Sequence, residues 1–219
     1  MSKPDVATLI CFAVAQEAAP FRKHAKKRDD LKVWVVGIGQ SNARRSFLEA
    51  LDGVVPGRVI TAGFAGGLNP ELATGDVLFD ADEGFELSSG LERAGCRRAR
   101  FHCHDRIATT PEEKAVLRES TGADAVEMES GAIREICRES GIPCATVRVI
   151  SDAASESLPL DFNRLMNPDM SLSPTRLTGA LLRAPRKIME LIGFQRRIAR
   201  AGENLARALS EALGSVPVE

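Results

Sequence analysis

The sequence predicts an α/β domain with a partly mixed sheet, and two observations carry that reading. Short, β-rich apolar runs alternate with stretches whose apolar residues recur at helical spacing. Between the runs at 58–62 and 76–79 lies a glycine-rich turn with no room for a crossover helix, so part of the sheet need not be parallel. The 219 residues suffice for one such domain.

Taken in order, residues 8–14 and 33–36 read as buried strands, the second ending at Gly37-Ile38-Gly39. Ser41 or Asn42 can cap a helix that runs to about Leu51. Residues 58–62 form a strand entering the turn Gly63-Phe64-Ala65-Gly66-Gly67, and 76–79 form another after Thr74-Gly75. Thr110-Pro111-Glu112-Glu113 opens a helix as a capping box with proline in its first turn, and Gly122 stops it. Residues 125–127 are a short strand. A helical stripe at 132, 133, 136 and 137 then ends at Gly141-Ile142-Pro143. The strongest strand is 144–150, almost wholly apolar apart from Arg148. From Pro159 the texture changes: Asn167-Pro168-Asp169 and Ser173-Pro174 mark loops, and 185–213 reads as one or two arginine-rich amphipathic helices. Residues 1–219 are expected to be a single domain, with 159–219 its helical C-terminal extension.

Composition narrows the function classes. Apolar residues make up 44% and charged residues 27%, an ordinary globular balance. A net charge of −1 gives no global field toward nucleic acid or anionic membrane, and with no tyrosine and Trp34 alone there is no broad platform for stacking bases. Lys3, Pro4 and Asp5 precede the apolar run 9–15, which is too short to span a bilayer, so a soluble cytoplasmic protein is expected. The five cysteines are odd in number and lack framework spacing. Cys96, His102, Cys103 and His104 resemble a zinc set at first sight. On an extended strand, however, Cys103 points away from the two histidines, and no metal is expected.

Three strand ends carry candidate chemistry. Ala125-Val126-Glu127-Met128-Glu129-Ser130 delivers two acids just ahead of a helix, although an acid there also interacts favourably with the helix dipole. Val147-Arg148-Val149-Ile150-Ser151-Asp152 ends a buried strand in a Ser-Asp pair, which could equally cap the next segment. Arg148 inside that run demands a partner, and Glu17 or Glu129 are natural ones. In Val14-Ala15-Gln16-Glu17, the acid taken alone is more simply a helix N-terminal residue. Three such ends on one sheet edge would bring the acids together.

Together these residues resemble the nucleoside phosphorylase/nucleosidase superfamily, and within it the methylthioadenosine/S-adenosylhomocysteine nucleosidase branch. The likeness runs from about Leu9 to Ala154 through Glu17, Gly37-Ile38-Gly39, Ala65-Gly66-Gly67-Leu68-Asn69-Pro70, Thr74-Gly75-Asp76-Val77, Val126-Glu127-Met128-Glu129 and Arg148-Val149-Ile150-Ser151-Asp152. It implies a three-layer α/β/α phosphorylase-like fold with a central mixed sheet. It also implies cleavage of an N-glycosidic bond without a cofactor. Asp152 would bond the purine edge and protonate the leaving base, with Ser151 orienting it. Glu129 would grip the sugar hydroxyls above Met128, Glu17 would activate water, and Arg148 would hold the carboxylates. Glu127, Phe64, Ala65, Gly66, Ile107 and Ala108 complete the expected substrate-binding set.

Water rather than phosphate is the expected nucleophile. The superfamily's phosphorylases carry an arginine and a serine where this chain has Thr61 and Phe64, and Glu17 would repel a phosphate dianion. Arg22, Arg44 and Arg45 keep phosphorolysis open. The chain also departs from the nucleosidases: Phe64 replaces a small hydroxyl residue, Ile107 stands where an aromatic often stacks on the base, and the stretch between Asp76 and Glu129 is short. The region around Leu158-Pro159 and Ala184-Pro185-Arg186 is similar to a hopanoid-associated phosphorylase-like branch, which implies a hydrophobic or lipid 5′ substituent. The expected partners are a nucleoside, phosphate as the alternative co-substrate, and a second copy in a homodimer. Nucleic acid is not expected, and membrane contact through the C-terminal helices is the lesser reading. A non-catalytic nucleoside-binding protein is the alternative of another class, and Glu17 argues against it.

Overall fold

Alternation along the strands decides which side of the sheet each residue covers. In the computed structural model, which describes residues 5–25 and 28–214, β1 (Asp5–Phe12) sends Ile10 and Phe12 to one face and Leu9 and Cys11 to the other. Lys3 and Pro4, part of the N-terminal reading above, lie outside the described residues. The chain continues through α1 (Ala15–His24), β2 (Leu31–Val35), α2 (Gln40–Gly53), β3 (Val55–Gly67) and β4 (Val77–Ala81). Then come α3 (Ser88–Arg93), β5 (Arg97–Arg98), β6 (Phe101–Cys103), α4 (Pro111–Thr121), β7 (Ala125–Glu127) and α5 (Ser130–Glu139). The last elements are β8 (Cys144–Asp152), α6 (Phe162–Leu165), α7 (Pro174–Arg183) and α8 (Arg186–Ala212).

The strand order is β2-β1-β3-β8-β4-β5, with β7 bridging β3 and β6. β1, β2, β3 and β8 run parallel, whereas β4 is antiparallel to β8 and β7 is antiparallel to β3, so the sheet is mixed as expected. On one face Ala18 and Phe21 of α1, Leu91 of α3 and Ala201, Leu205 and Leu209 of α8 cover Ile10, Phe12, Ile60 and Val147. On the other, Ala43, Phe47 and Ala50 of α2 and Ile133, Ile136 and Cys137 of α5 cover Leu9, Cys11, Val59 and Cys144. That is a three-layer α/β/α arrangement, each fully buried large side chain contributing about 1.5–3 kcal/mol. β8 lies at its centre, buried along its whole length.

Several local expectations change. The first strand stops at Phe12, and Val14 becomes the extended residue ahead of α1. The glycine-rich segment is no turn: Gly63 to Gly67 continue β3, with a register shift between Ala65 and Gly66. Glycine here serves close approach, since a Cβ on Gly63 would sit 2.9 Å from Arg148 Nη1 and 3.0 Å from Glu17 Oε2. α2 begins on Gly39, whose conformation (φ 83°) suits glycine, and neither Ser41 nor Asn42 caps it. Thr110 does cap α4 by accepting from the Glu113 N–H, and Gly122 ends it left-handed. Glu113, however, accepts from Thr109 N–H (2.7 Å), so the capping box closes one residue early. The arginine-rich C-terminal stretch is one helix, whose second half is buried against α1, α3 and β8.

Candidate functional site

The C-terminal ends of β1, β3 and β8 meet the end of β7, and the three acid-bearing segments of the sequence converge there. Arg148, on the opposite face of β8 from Val147 and Val149, is 1% exposed and points under this edge. Its Nη2 lies 2.5 Å from Glu127 Oε2 and 3.5 Å from Glu129 Oε2. Glu127 is thus its hydrogen-bonded partner, ahead of the Glu17 and Glu129 anticipated from sequence.

Glu127 is held by four donors of the protein. Its carboxylate accepts from the N–H groups of Glu129 (3.0 Å) and Ser130 (2.8 Å), from the Ser130 hydroxyl (2.7 Å) and from Arg148. It fixes the β7–α5 corner and also lines the cleft described below. Burial pushes its proton affinity up, but the Arg148 guanidinium and the Ser130 donors outweigh burial and hold the carboxyl below its usual range.

Glu129 and Glu17 behave oppositely. Burial, with repulsion from Glu127 and Glu17, pushes Glu129 up to about 7 despite Arg148 and the Gly39 N–H, which donates to Oε1 at 3.0 Å. Glu17 accepts from Ala13 N–H (3.1 Å), Val14 N–H (3.4 Å) and Phe64 N–H (3.1 Å). Burial nevertheless raises its proton affinity against Arg148 and those donors. Three buried carboxylates therefore share one guanidinium, and the cluster prefers to gain a positive charge or a proton.

At the other end of the edge, Ser151 donates to Asp152 Oδ1 at 2.5 Å and lies 3.2 Å from the Ala65 carbonyl. Asp152 Oδ2 lies 2.5 Å from Nζ of Lys114, a residue of α4 that is 0% exposed. Lys114 donates hydrogen bonds to the carbonyls of Ala153 (2.6 Å) and Glu156 (2.8 Å). Nothing in the sequence marks it. Its helix is rich in charge, and its burial follows only from how α4 packs beneath the turn after β8.

Between the two ends lies a cavity of about 230 Å³, lined by Glu17, Phe64, Ala65, Gly66, Ile107, Ala108, Glu127, Met128, Glu129, Ser151 and Asp152. Every expected site residue except Arg148, which lies beneath it, faces this space. The C-terminal segment supplies a wall that sequence reasoning missed, namely Phe162, Met166, Phe194 and Ile198. A second, mainly apolar cavity of about 390 Å³ shares Phe64, Phe162, Phe194 and Ile198 and adds Leu191 and Pro20. Arg22, Arg44 and Arg45 line neither: Arg44 pairs with Glu135, Arg45 bonds Asn42, and Arg22 is exposed on α1. His102 and His104 rest with ring centroids 5.4 Å apart, and among the described residues no group of three His, Cys, Asp or Glu side chains could hold a metal ion.

The chain has a phosphorylase-like fold, and the model of the phosphorylase superfamily matches its residues 97–183. It is similar to 5′-methylthioadenosine/S-adenosylhomocysteine nucleosidases. It is 30% identical over 132 residues to that of Mycobacterium bovis, a match covering 60% of this chain and 42% of the relative. It is 26% identical over 200 residues to that of a Shewanella species, covering 74% of this chain and 87% of the relative. The match thus spans less than half the length of the mycobacterial relative. Among solved structures, the futalosine hydrolase of Helicobacter pylori superposes with a TM-score of 0.67 at 17% identity, over 96% of this chain and 98% of that one. No helix among the described residues is long and apolar enough to cross a membrane.

Proposed function

We propose that the chain hydrolyses the N-glycosidic bond of an adenine-type nucleoside, with substrates of the methylthioadenosine or S-adenosylhomocysteine kind. One observation carries this: Glu17 and Glu129 flank a cleft whose far end holds Asp152, while a single arginine lies under the acids. A departing base leaves positive charge on the sugar, and an excess of carboxylate there stabilises it. The same excess disfavours a phosphate dianion; Arg22, Arg44 and Arg45 do not reach the cleft, and Arg106, which lines it, is paired with Glu113 at 2.8 Å. In this reading Asp152, oriented by Ser151, takes up a proton from solvent and gives it to the base as the bond breaks. Glu129 holds the sugar hydroxyls above Met128, and Glu17 activates water.

Incubation with methylthioadenosine, S-adenosylhomocysteine, adenosine and inosine, with and without phosphate, tests the proposal. Free sugar formed without phosphate is expected. Sugar 1-phosphate would instead identify a phosphorylase. Tight nucleoside binding with no base release would leave a binding protein.

A second reading concerns the 5′ substituent. The apolar cavity beside Phe64, continuous in its lining with the cleft, favours a substrate with a hydrophobic or lipid 5′ group. Faster release from a 5′-alkylthio series as the chain lengthens is the expected sign. This reading treats 1–219 as one phosphorylase-like domain, with 159–219 as its helical extension walling the substrate. It also retains the homodimer. Leu182, Ile188, Met189 and Ile192 lie exposed on α7 and α8, beside the helix turn that lines the cleft, as an apolar surface for a second copy. Light scattering that returned a monomer at micromolar concentration would remove the dimer.

A further inference from the structure

We propose that Lys114 is a positioning residue for the proposed reaction: its ammonium group holds Asp152 in place and balances the charge left on that carboxylate once its proton has passed to the base. The proposal rests on the reading that Asp152 addresses the base.

The geometry around Nζ makes the case. Three oxygens surround it, Asp152 Oδ2 at 2.5 Å, the Ala153 carbonyl at 2.6 Å and the Glu156 carbonyl at 2.8 Å. The ammonium donates hydrogen bonds to the two carbonyls and meets the carboxylate oxygen as a close charge contact, whereas a neutral amine would offer that carboxylate no counter-charge. The site is therefore built for the cation. Burying a lysine completely is costly unless a specific counter-charge receives it, and here that charge is Asp152. Asp152 Oδ2 in turn is buried and takes no hydrogen bond of good geometry, from Lys114 or any other of the described residues, so the close charge contact with Lys114 is what holds it. Oδ1 is left to Ser151 and the cleft.

The pair also ties moving parts together. Lys114 joins α4 to the turn after β8, where the Ala153 N–H donates to Glu156 Oε2, which also takes the Thr74 hydroxyl. A carboxylate with one oxygen pinned by α4 and the other by Ser151 cannot rotate away when the base departs. A shift of about 1 Å in such a group can cost on the order of 100-fold in rate.

Lys114→Gln separates this role from a purely structural anchor, because the amide still donates to a backbone carbonyl but carries no charge. The expected result is a folded protein whose kcat falls roughly 10- to 100-fold with little change in KM, in line with misplacement of a reacting group. Lys114→Arg, which keeps the cation, should recover part of the loss. In an Asp152→Asn background, Lys114→Gln should cost almost nothing further, since the residue it positions is already disabled. Unchanged kcat in Lys114→Gln, or a full additional loss on top of Asp152→Asn, would overturn the proposal. Should Lys114→Gln fail to fold, the Arg variant alone decides: loss of activity comparable to Asp152→Asn in a protein with a native circular dichroism spectrum would count against charge balance. Wild-type base release is measured first. Its absence with every nucleoside defeats the nucleosidase reading, whereas release that ignores Lys114 defeats only this inference.

Discussion

The two ends of the cleft solve the same problem, burying carboxylates, in different ways. At one end Glu17, Glu127 and Glu129 share Arg148, so negative charge exceeds positive. At the other, Asp152 has Lys114 to itself and the charges balance. An unbalanced cluster is poised to receive something positive, be it a proton or a cationic sugar. A balanced pair keeps its geometry while something is done to a neighbour. The division suits a reaction in which charge develops on the sugar and a proton moves at the base.

Removing the shared cation should break this contrast most severely. Arg148→Met leaves three buried carboxylates with no counter-charge, and chemical denaturation should show a loss of about 3–5 kcal/mol. Part of that loss should return at acidic pH as the carboxylates become protonated, and a stability deficit independent of pH would show that packing, not charge, is what was lost. Next in size is Asp152→Asn, which should lower kcat roughly 10²- to 10⁴-fold while nucleoside binding changes little, read by steady-state kinetics and calorimetry. Equal losses in binding and turnover would argue against a proton-donating role.

The sequence made some of this legible, for identifiable reasons. Thr110 and Gly122 act within a few residues of themselves, so local chemistry sufficed to place the ends of α4. Arg148 announced a buried ion pair because an arginine in an apolar strand must find one, although which acid bonds it depended on the β7–α5 corner. The glycines of β3 misled because glycine marks both turns and close approaches, and only the approach of Glu17 and Arg148 to Gly63 tells them apart. Lys114 and the wall of Phe162, Met166, Phe194 and Ile198 were illegible. Their places are set by helices packing across the sheet edge, which no spacing within α4, α6 or α8 encodes.

Gly63→Ala sharpens the comparison at lower cost. Its methyl group would press on Arg148 Nη1 and both Glu17 oxygens, at 2.9 to 3.1 Å, and leave the Asp152–Lys114 end untouched. A destabilisation of about 1–3 kcal/mol is expected from thermal melts. Turnover should fall while adenine affinity holds. Loss of adenine binding instead would mean that the two ends are mechanically linked.

The mildest effects are those of pH on the unbalanced end, and there activity and stability should run in opposite directions. Burial first, then Glu127 and Glu17, pushes Glu129 up to about 7 from the ordinary carboxyl value of 4.5. If Glu129 works ionised, kcat/KM should drop by about tenfold per pH unit below that value. Stability carries the other sign. A carboxyl whose proton affinity is higher in the folded state binds more protons folded than unfolded, so its contribution declines as pH rises from 4.5 toward about 7 and is level beyond. Glu129→Gln mimics the protonated form and can still accept from the Gly39 N–H. It should therefore match the wild type in melting temperature near pH 5, exceed it at pH 8, and be nearly inactive at both. A variant less stable than wild type at pH 8 would mean that Arg148 compensates Glu129 more fully than Glu127 and Glu17 allow, and the imbalance that sets the two ends apart would be gone.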